Sequence, residues 1–293
     1  MGRGITVLLA CSLCAADLDY RAAVERWRLE RAAQLSSDDG WLTVTGLFWL
    51  EPGENTLGAA QDSAIRLPRD AAPERAGVIL LEGDRVTVRL HEGVKAVLNG
   101  QPVRSAPLRS DAAGTPDTLT LGRLKLLLLK RGDRFAIRLK DPESPMRKQF
   151  KGLKWYPIQE QWRIKARFLP PASPMKLLFD TIIGTKEEVE SAGEVAFHLN
   201  GREHRLVATR SGKRLFIVFR DATCGKTTYG AGRFLYTEEP QGAFVVLDFN
   251  KAINPPCAYT PYATCPLPPK QNRLPVAIPA GEMTYEEHVT ANP

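Results

Sequence analysis

Two stretches near the C-terminus carry most of the side chains that are suited to ligand binding or acid–base chemistry. The first reads FRDATCGKTTYGAGRFL, the second reads DFNKAINPPC, and an acidic residue follows in AGEM. Arginine presents a planar fork of donors that fits carboxylate and phosphate groups. Because adjacent strands bring such segments side by side, we predict that these side chains converge on a small polar or anionic ligand. The candidate ligand-binding residues are Arg220, Asp221, Thr228, Tyr229, Arg233, Asp248, Asn250, Asn254 and Glu282.

The same polar residues admit other interpretations, which the sequence leaves open. In the first, the arginines and aspartates form an internal network that satisfies backbone groups of a loop. In the second, a hydrolase-type enzyme uses Asp221, Asp248 or Glu282 as acid or base, while Tyr229 or Arg233 stabilises charge. In the third, the chain is a structural module of the cell envelope. The sequence assigns no catalytic residue and does not decide whether the protein is an enzyme.

A proline-rich stretch, DFNKAINPPCAYTPYATCPLPP, follows an apolar strand-like run and covers residues 248–269. Proline cannot continue a strand ladder and fixes φ, so it ends the strand and lowers the entropy cost of ordering a loop. We therefore predict that residues 254–269 form a rigid lid on the edge or open end of a C-terminal sheet. Its cysteines, Cys257 and Cys265, form either a disulfide or two small buried thiols.

Several well-known catalytic and metal-binding patterns are missing from the sequence. There is no Gly-x-Ser-x-Gly and no His-Glu-x-x-His. The segment CGKTT ends like a phosphate-binding loop, but Arg220 stands where the first glycine belongs. His198 and His204 flank a predicted turn, a placement more typical of solvent-facing strand positions than of metal ligands. We expect neither a metal nor a cofactor.

The composition is that of a globular protein. The chain has 293 residues, 43% hydrophobic and 25% charged, with a formal net charge of +7. Such mild basicity does not require nucleic acid as a partner, and the cations and aromatics interleaved between residues 148 and 167 are interpreted as a wrapped linker. No apolar run reaches the roughly 18 residues that span a bilayer. The expected partner is a small polar ligand or a component of the cell envelope, and the sequence leaves the oligomeric state open.

The N-terminus, MGRGITVLLACSLCAAD, has the pattern of a secretory signal peptide. Arg3 precedes an apolar stretch over residues 5–13, and the small residues Ala15 and Ala16 suit a cleavage site. This pattern predicts a periplasmic or secreted protein.

After the predicted signal peptide, the spacing of apolar residues changes once, from a helical period to a strand period. Residues 18–35 have apolar positions close to one helical face, and from Trp41 the period is two. Asn99-Gly100 and Asn200-Gly201 each separate two short apolar arms, which predicts hairpin tips. The predicted fold class is all-β, with two β-rich domains after one N-terminal helix. The predicted parts are a signal peptide (1–16), a helix (17–40), a β-sandwich (41–141), a linker (142–175) and a C-terminal sandwich or barrel with its lid (176–293).

The C-terminal segments resemble a known protein family. FRDATCGKTTYGAGRFLY and DFNKAINPPCAYTPYATCPLPPKQNRLPVAIPAGE look like the C-terminal signature of a prokaryotic domain-of-unknown-function family, number sixteen eighty-four. GWLTVTGLFWLEPGENTLG looks like that family's N-terminal signature, so the resemblance extends over nearly all of the mature chain. It implies no particular activity.

A second resemblance concerns residues 55–141, whose order of strand-like segments is similar to a forkhead-associated β-sandwich. Leu57-Gly58-Ala59 stands where that fold has Gly-Arg, and Ala72-Pro73-Glu74 begins the region of its Ser-x-x-His motif. The resemblance thus implies the fold without its phosphothreonine-binding residues.

Overall fold

The computed structural model describes the backbone of residues 6–285 and the side chains of residues 19–285. The side chains of the predicted signal peptide lie outside the described residues, so export stays a prediction. Within the described part of the chain, no helix is both long and apolar enough to cross a membrane.

The fold is all-β with one leading helix, which confirms the predicted fold class. Helix α1 spans Thr6–Ser36, and a single turn, α2, spans Pro145–Lys148. The strands of the first half are β1 Val44–Trp49, β2 Gly53–Gly58, β3 Ile65–Arg66, β4 Gly77–Glu82, β5 Arg85–Leu90, β6 Ala96–Leu98, β7 Gln101–Val103, β8 Ser105–Pro107, β9 Thr118–Leu121, β10 Leu124–Arg131 and β11 Arg134–Lys140. The strands of the second half are β12 Arg163–Leu169, β13 Lys176–Asp180, β14 Lys186–Leu199, β15 Arg202–Ser211, β16 Arg214–Phe219, β17 Arg233–Tyr236 and β18 Phe244–Asp248.

The N-terminal unit comprises Ser36–Phe150 together with Thr260–Ala263. It contains a six-stranded sheet, in the order β1-β11-β10-β9-β6-β7, and a five-stranded sheet, in the order β3-β2-β4-β5-β8. Both sheets contribute to one apolar core: Leu126 and Leu128 of β10 lie in the same cluster as Ile79 of β4. Alternate residues of a strand point to opposite faces, so this burial pattern makes a two-layer sandwich.

The C-terminal unit comprises α1 up to Leu35, Lys151–Tyr259 and the described residues from Thr264 onward. Its sheet has the order β17-β16-β15-β14-β12-β18, and β13 pairs with the first half of β14. Its apolar core includes Phe197, Leu206 and Ile217, which are almost fully buried. In α1, Val24 is completely buried, so the helix belongs to this unit's packing rather than standing apart.

The segment predicted as a linker contains a strand of the C-terminal sheet. Strand β12 pairs with β14 on one side and with β18 on the other. Its sequence, RIKARFL, buries only Ala166 fully, and charged residues occupy the exposed alternate positions. The sequence of β12 thus has the period-two alternation of a strand, with Ile164, Ala166 and Phe168 at the core, but it lies between proline- and aromatic-rich stretches that resemble a linker.

Both predicted Asn-Gly hairpins are present. Asn99 and Gly100 join β6 to β7 with φ of 51° and 84°, and Asn200 and Gly201 join β14 to β15 with φ of 52° and 74°. Positive φ at both central residues matches the right-handed twist of the strands, and asparagine and glycine tolerate it best.

Substitutions at the two turn asparagines separate backbone strain from side-chain bonding. We expect Asn200→Ala to lower the free energy of unfolding by about 1–2 kcal/mol, because alanine resists the left-handed conformation. Asn200→Gly should stay within about 0.5 kcal/mol of the parent chain. Asn99→Gly should still destabilise, because the Asn99 side chain donates to Asp117 at 2.8 Å and accepts from the Thr118 amide at 2.9 Å. Urea unfolding checks this, and equal values for both glycine variants would contradict it.

Candidate functional site

A buried ion pair lies at the centre of the first polar stretch. Arg233, on β17, places Nη1 3.5 Å from Oδ2 of Asp221, which follows β16, and both side chains are fully buried. Asp221 also accepts from the Ile278 amide at 2.6 Å, and Arg233 donates to the carbonyls of Ile278 and Ala280. Burial lowers the pKa of the Arg233 guanidinium, and the Asp221 carboxylate opposes this. The pair thus binds the returning C-terminal segment, as the internal-network interpretation requires.

The turn between these two residues is closed by hydroxyl groups. Thr223 donates to Asp221 at 2.7 Å, and its hydroxyl lies 2.8 Å from that of Thr228, which is completely buried. Burial raises the pKa of the neighbouring Cys224 thiol. Thr228 therefore supports the turn from inside and does not face solvent.

A second cluster joins α1 to the end of β18. The Tyr20 hydroxyl donates to Asp248 at 2.8 Å, and the Asn250 amide donates to the Tyr20 oxygen at 2.9 Å and to the Gln159 carbonyl at 2.8 Å. Burial, followed by the Asp248 charge, raises the pKa of Tyr20. Asp248 and Asn250 thus contribute to the docking of the helix.

A third cluster surrounds Glu282, whose side chain is completely buried. Its carboxylate accepts from the Asn254 side chain at 3.1 Å and from the Tyr259 hydroxyl, and Nε of Arg31 lies 3.9 Å away. Burial raises the pKa of Glu282 to about 7, because it disfavours the charged form; Arg31 and Asn254 oppose the shift. The Glu282 carboxylate is thus held inside the protein by these partners.

Hydrogen bonds and ion pairs therefore divide the predicted site residues into separate clusters, and the structure does not bring all of these residues together in one site. A link between the first and third clusters is Gly281, with φ of +80°. A Cβ there would lie 2.4 Å from the Ala252 carbonyl and 2.8 Å from Nη2 of Arg233. Only glycine lets the chain pass so closely between them.

Tyr229 and the two loop cysteines form a further group. The Tyr229 hydroxyl donates to the Cys257 carbonyl at 3.0 Å, and the Cys257 amide donates to the Cys265 sulfur at 3.3 Å. Neither cysteine is in a disulfide in the structure; Cys257 is half-buried and Cys265 is buried. The disulfide between them stays a prediction.

The proline-rich loop is hydrogen-bonded to the end of β13. The Leu267 amide donates to the Asp180 carbonyl at 2.7 Å, and the Ile182 amide donates to the Cys265 carbonyl at 2.9 Å. Tyr259 is buried, whereas Tyr262 and Leu267 are half-buried. The loop is thus an ordered part of the protein, and its action as a lid stays a prediction.

Arg220 and Asp221 are candidate residues that line an open cavity of about 570 Å³, and the Arg220 side chain is exposed there. Its Nη1 donates to the Gly230 carbonyl, and a second exposed arginine, Arg273, lines the same cavity. The other lining residues are Ile182, Ala222, Cys224, Ala231, Leu267, Pro268 and Leu274.

Arg273 is a cavity residue that the sequence reasoning missed. The backbones of the two arginine segments pair in parallel: the Leu274 amide donates to the Arg220 carbonyl at 2.7 Å, and the Arg220 amide donates to the Asn272 carbonyl at 2.9 Å. The pairing follows from the return of the chain after the loop. The only signal for it in the sequence is the strand-like run NRLPVAI, which does not indicate a partner.

The described residues contain no group of three or more histidine, cysteine, aspartate or glutamate side chains placed to hold a metal ion. No curated protein matches the chain.

Solved structures give matches of limited extent. An uncharacterised protein from Haloarcula marismortui is 33% identical, covers 50% of this chain and 83% of its own, and has a TM-score of 0.41. The FHA-2 domain of the Mycobacterium tuberculosis ABC transporter Rv1747 is 23% identical, covers 30% of this chain and 77% of its own, and has a TM-score of 0.24.

A family model described as "Protein of unknown function (DUF1684)" matches residues 148–283. The match contains both C-terminal signature segments, but it does not extend to the GWLTVTGLFWLEPGENTLG segment, which also resembled the family. The C-terminal part of the chain, residues 148–283, thus belongs to the family of proteins of unknown function DUF1684.

Proposed function

We propose that the C-terminal unit binds a small organic anion in the cavity lined by Arg220 and Arg273. The observation that carries this proposal is the presence of two exposed guanidinium groups on one cavity of about 570 Å³. Among the described residues, neither arginine forms an ion pair with a carboxylate. Asp221 also lines the cavity, but its carboxylate is fully buried, and Arg233 balances its charge from the interior.

The lining of the cavity suggests the class of ligand. Six of its ten lining residues are apolar, including Leu267, Pro268 and Leu274. Ligand sites of this size combine a mostly apolar wall with a few convergent polar groups. Two arginine forks suit a carboxylate or a phosphate, and the apolar wall suits a short hydrocarbon or aromatic body. The ligand is therefore a small carboxylate or phosphate monoester with an apolar part.

Binding can be tested by thermal shift and calorimetry with inorganic phosphate, succinate, hexanoate and phenyl phosphate. We expect the melting temperature to rise with the concentration of an anion that has an apolar part, because ligand binding stabilises the folded state. The variant Arg220→Gln/Arg273→Gln should bind that anion at least about tenfold more weakly, equivalent to about 1.4 kcal/mol.

The matched control is Arg210→Gln/Lys213→Gln, which removes the same charge from exposed positions at the end of β15 and the turn that follows. It should bind as the parent protein does. Equal weakening of binding in both double variants would show that the effect comes from net charge alone. If no probe binds at millimolar concentration, the proposal is wrong.

Two broader features rest on the sequence alone and are part of the proposal. The N-terminal residues 1–16 support an exported protein, and the order of segments in residues 55–141 supports a forkhead-associated type of sandwich.

A further inference from the structure

Cys257 is in contact with both Cys265 and Tyr229, so two residues that carry reactive thiols lie next to each other. The Cys257 amide donates to the Cys265 sulfur at 3.3 Å, so this sulfur lies against the backbone of the other cysteine. The Tyr229 hydroxyl reaches the same residue, at the carbonyl of Cys257, at 3.0 Å. Cys257 is half-buried while Cys265 is buried, so an outside reagent meets Cys257 first.

The surroundings of Cys257 favour its thiolate form, whereas those of Cys224, the third cysteine in the described part of the chain, do not. A hydrogen bond from the Cys265 thiol, supported by one from Tyr229, lowers the pKa of Cys257 against the opposing effect of burial. Burial instead raises the pKa of Cys224. Because the thiolate is the nucleophile in sulfur chemistry, the two kinds of cysteine should react very differently.

We propose that Cys257 and Cys265 are a thiol–disulfide exchange site that reacts with low-molecular-weight disulfides, with Cys257 attacking and Cys265 resolving. This inference is independent of the proposed anion cavity. The contact between the two cysteines, their unequal exposure and the position of Tyr229 carry it.

The reaction has two balanced steps. The Cys257 thiolate attacks one sulfur of the small disulfide, whose S–S bond breaks, and one small thiolate leaves. The Cys265 thiol then loses its proton to solvent and attacks the Cys257 sulfur, which releases the second small thiolate. Overall, the two protein thiols are oxidised to one disulfide, and the small disulfide is reduced to two thiols.

Incubation of the full chain with glutathione disulfide tests the site. The chain also contains Cys11, Cys14 and Cys224, so products are located by peptide mass spectrometry after trapping of free thiols. We expect the parent protein to form a Cys257–Cys265 disulfide, and Cys265→Ser to accumulate glutathione on Cys257. The variant Cys257→Ser should leave Cys265 at least about tenfold less modified, because Cys265 is buried.

Folding of the variants is checked by circular dichroism, and Cys224 is the internal control for a buried thiol. A mixed disulfide that forms as quickly on Cys265 or Cys224 as on Cys257 would overturn the assignment. Glutathione uptake at Cys257 only in urea would overturn it equally, since the thiol would then be closed in the folded protein.

Tyr229 is a positioning residue in this site, and the pH dependence of Cys257 alkylation by iodoacetamide tests its role. In Tyr229→Phe the midpoint of the rate profile should move up, since the hydroxyl group that helps to lower the pKa of Cys257 is lost. A purely structural role would change the rate at every pH by the same factor and leave the midpoint in place.

Discussion

Replacement of Arg233 by methionine should lower the free energy of unfolding by about 3–5 kcal/mol. Arg233 and Asp221 are both fully buried, so the change leaves a carboxylate charge in the interior without its cation. The carbonyls of Ile278 and Ala280 also lose their donor. Methionine has a similar length and is apolar, so the loss is one of charge and hydrogen bonds rather than of volume.

A double-mutant cycle with Asp221→Asn isolates the ion pair from its surroundings. Asparagine keeps an acceptor for the Ile278 amide but removes the charge, so Arg233→Met should cost less in its presence, by about 0.5–3 kcal/mol. Denaturant unfolding at neutral pH measures all four chains. The control, Arg210→Met at an exposed strand position, should stay within about 0.5 kcal/mol of the parent protein. Strictly additive losses would show that the two side chains contribute independently.

Glu282→Gln should make the free energy of unfolding markedly less dependent on pH between about 4.5 and 7. The pKa of Glu282 is about 7 in the folded protein and 4.5 as the ordinary value, because burial disfavours the charge. Between these values the folded state holds a proton that the unfolded state has released. The stability from this group is therefore fully present below about pH 4.5 and is lost as the pH rises through about 7. The loss is on the order of 3 kcal/mol.

The measurement is the free energy of unfolding of both chains from pH 4 to pH 9. Glutamine keeps the shape of the side chain and an oxygen acceptor for Asn254 but has no proton to lose. The variant should gain on the parent protein across this range, while Glu239→Gln, at an exposed position, should not. A constant difference between Glu282→Gln and the parent chain at all pH values would show that Glu282 does not change its protonation on folding in this range.

The features that the sequence predicted correctly are those that depend on local conformational preference. Asn99-Gly100 and Asn200-Gly201 specify their turns through positive φ, whatever lies around them. The helix and the change to a period of two follow from the spacing of apolar residues, which any packed layer requires. The family match also follows from sequence, since it covers the two C-terminal signature segments.

The candidate site shows the limit of such reasoning. The sequence identified Asp221, Arg233 and Glu282 as unusual polar residues, but it left open whether they form one ligand site or an internal network. The structure pairs Asp221 with Arg233 inside the protein and places Glu282 near Arg31 of the helix. Whether a charged residue is compensated by a neighbour or left for a ligand depends on partners far away in the chain.

Only the tertiary structure placed Arg273 beside Arg220 and strand β12 inside the sheet. Both placements come from backbone pairing between segments distant in sequence, and backbone hydrogen bonds are the same for every residue type except proline. Their formation depends on the summed burial of the whole unit, which no local window of the sequence contains. The sequence by itself therefore determined the turns, the periodicity and the kinds of polar group, while long-range pairing decided which of those groups remain exposed at a cavity.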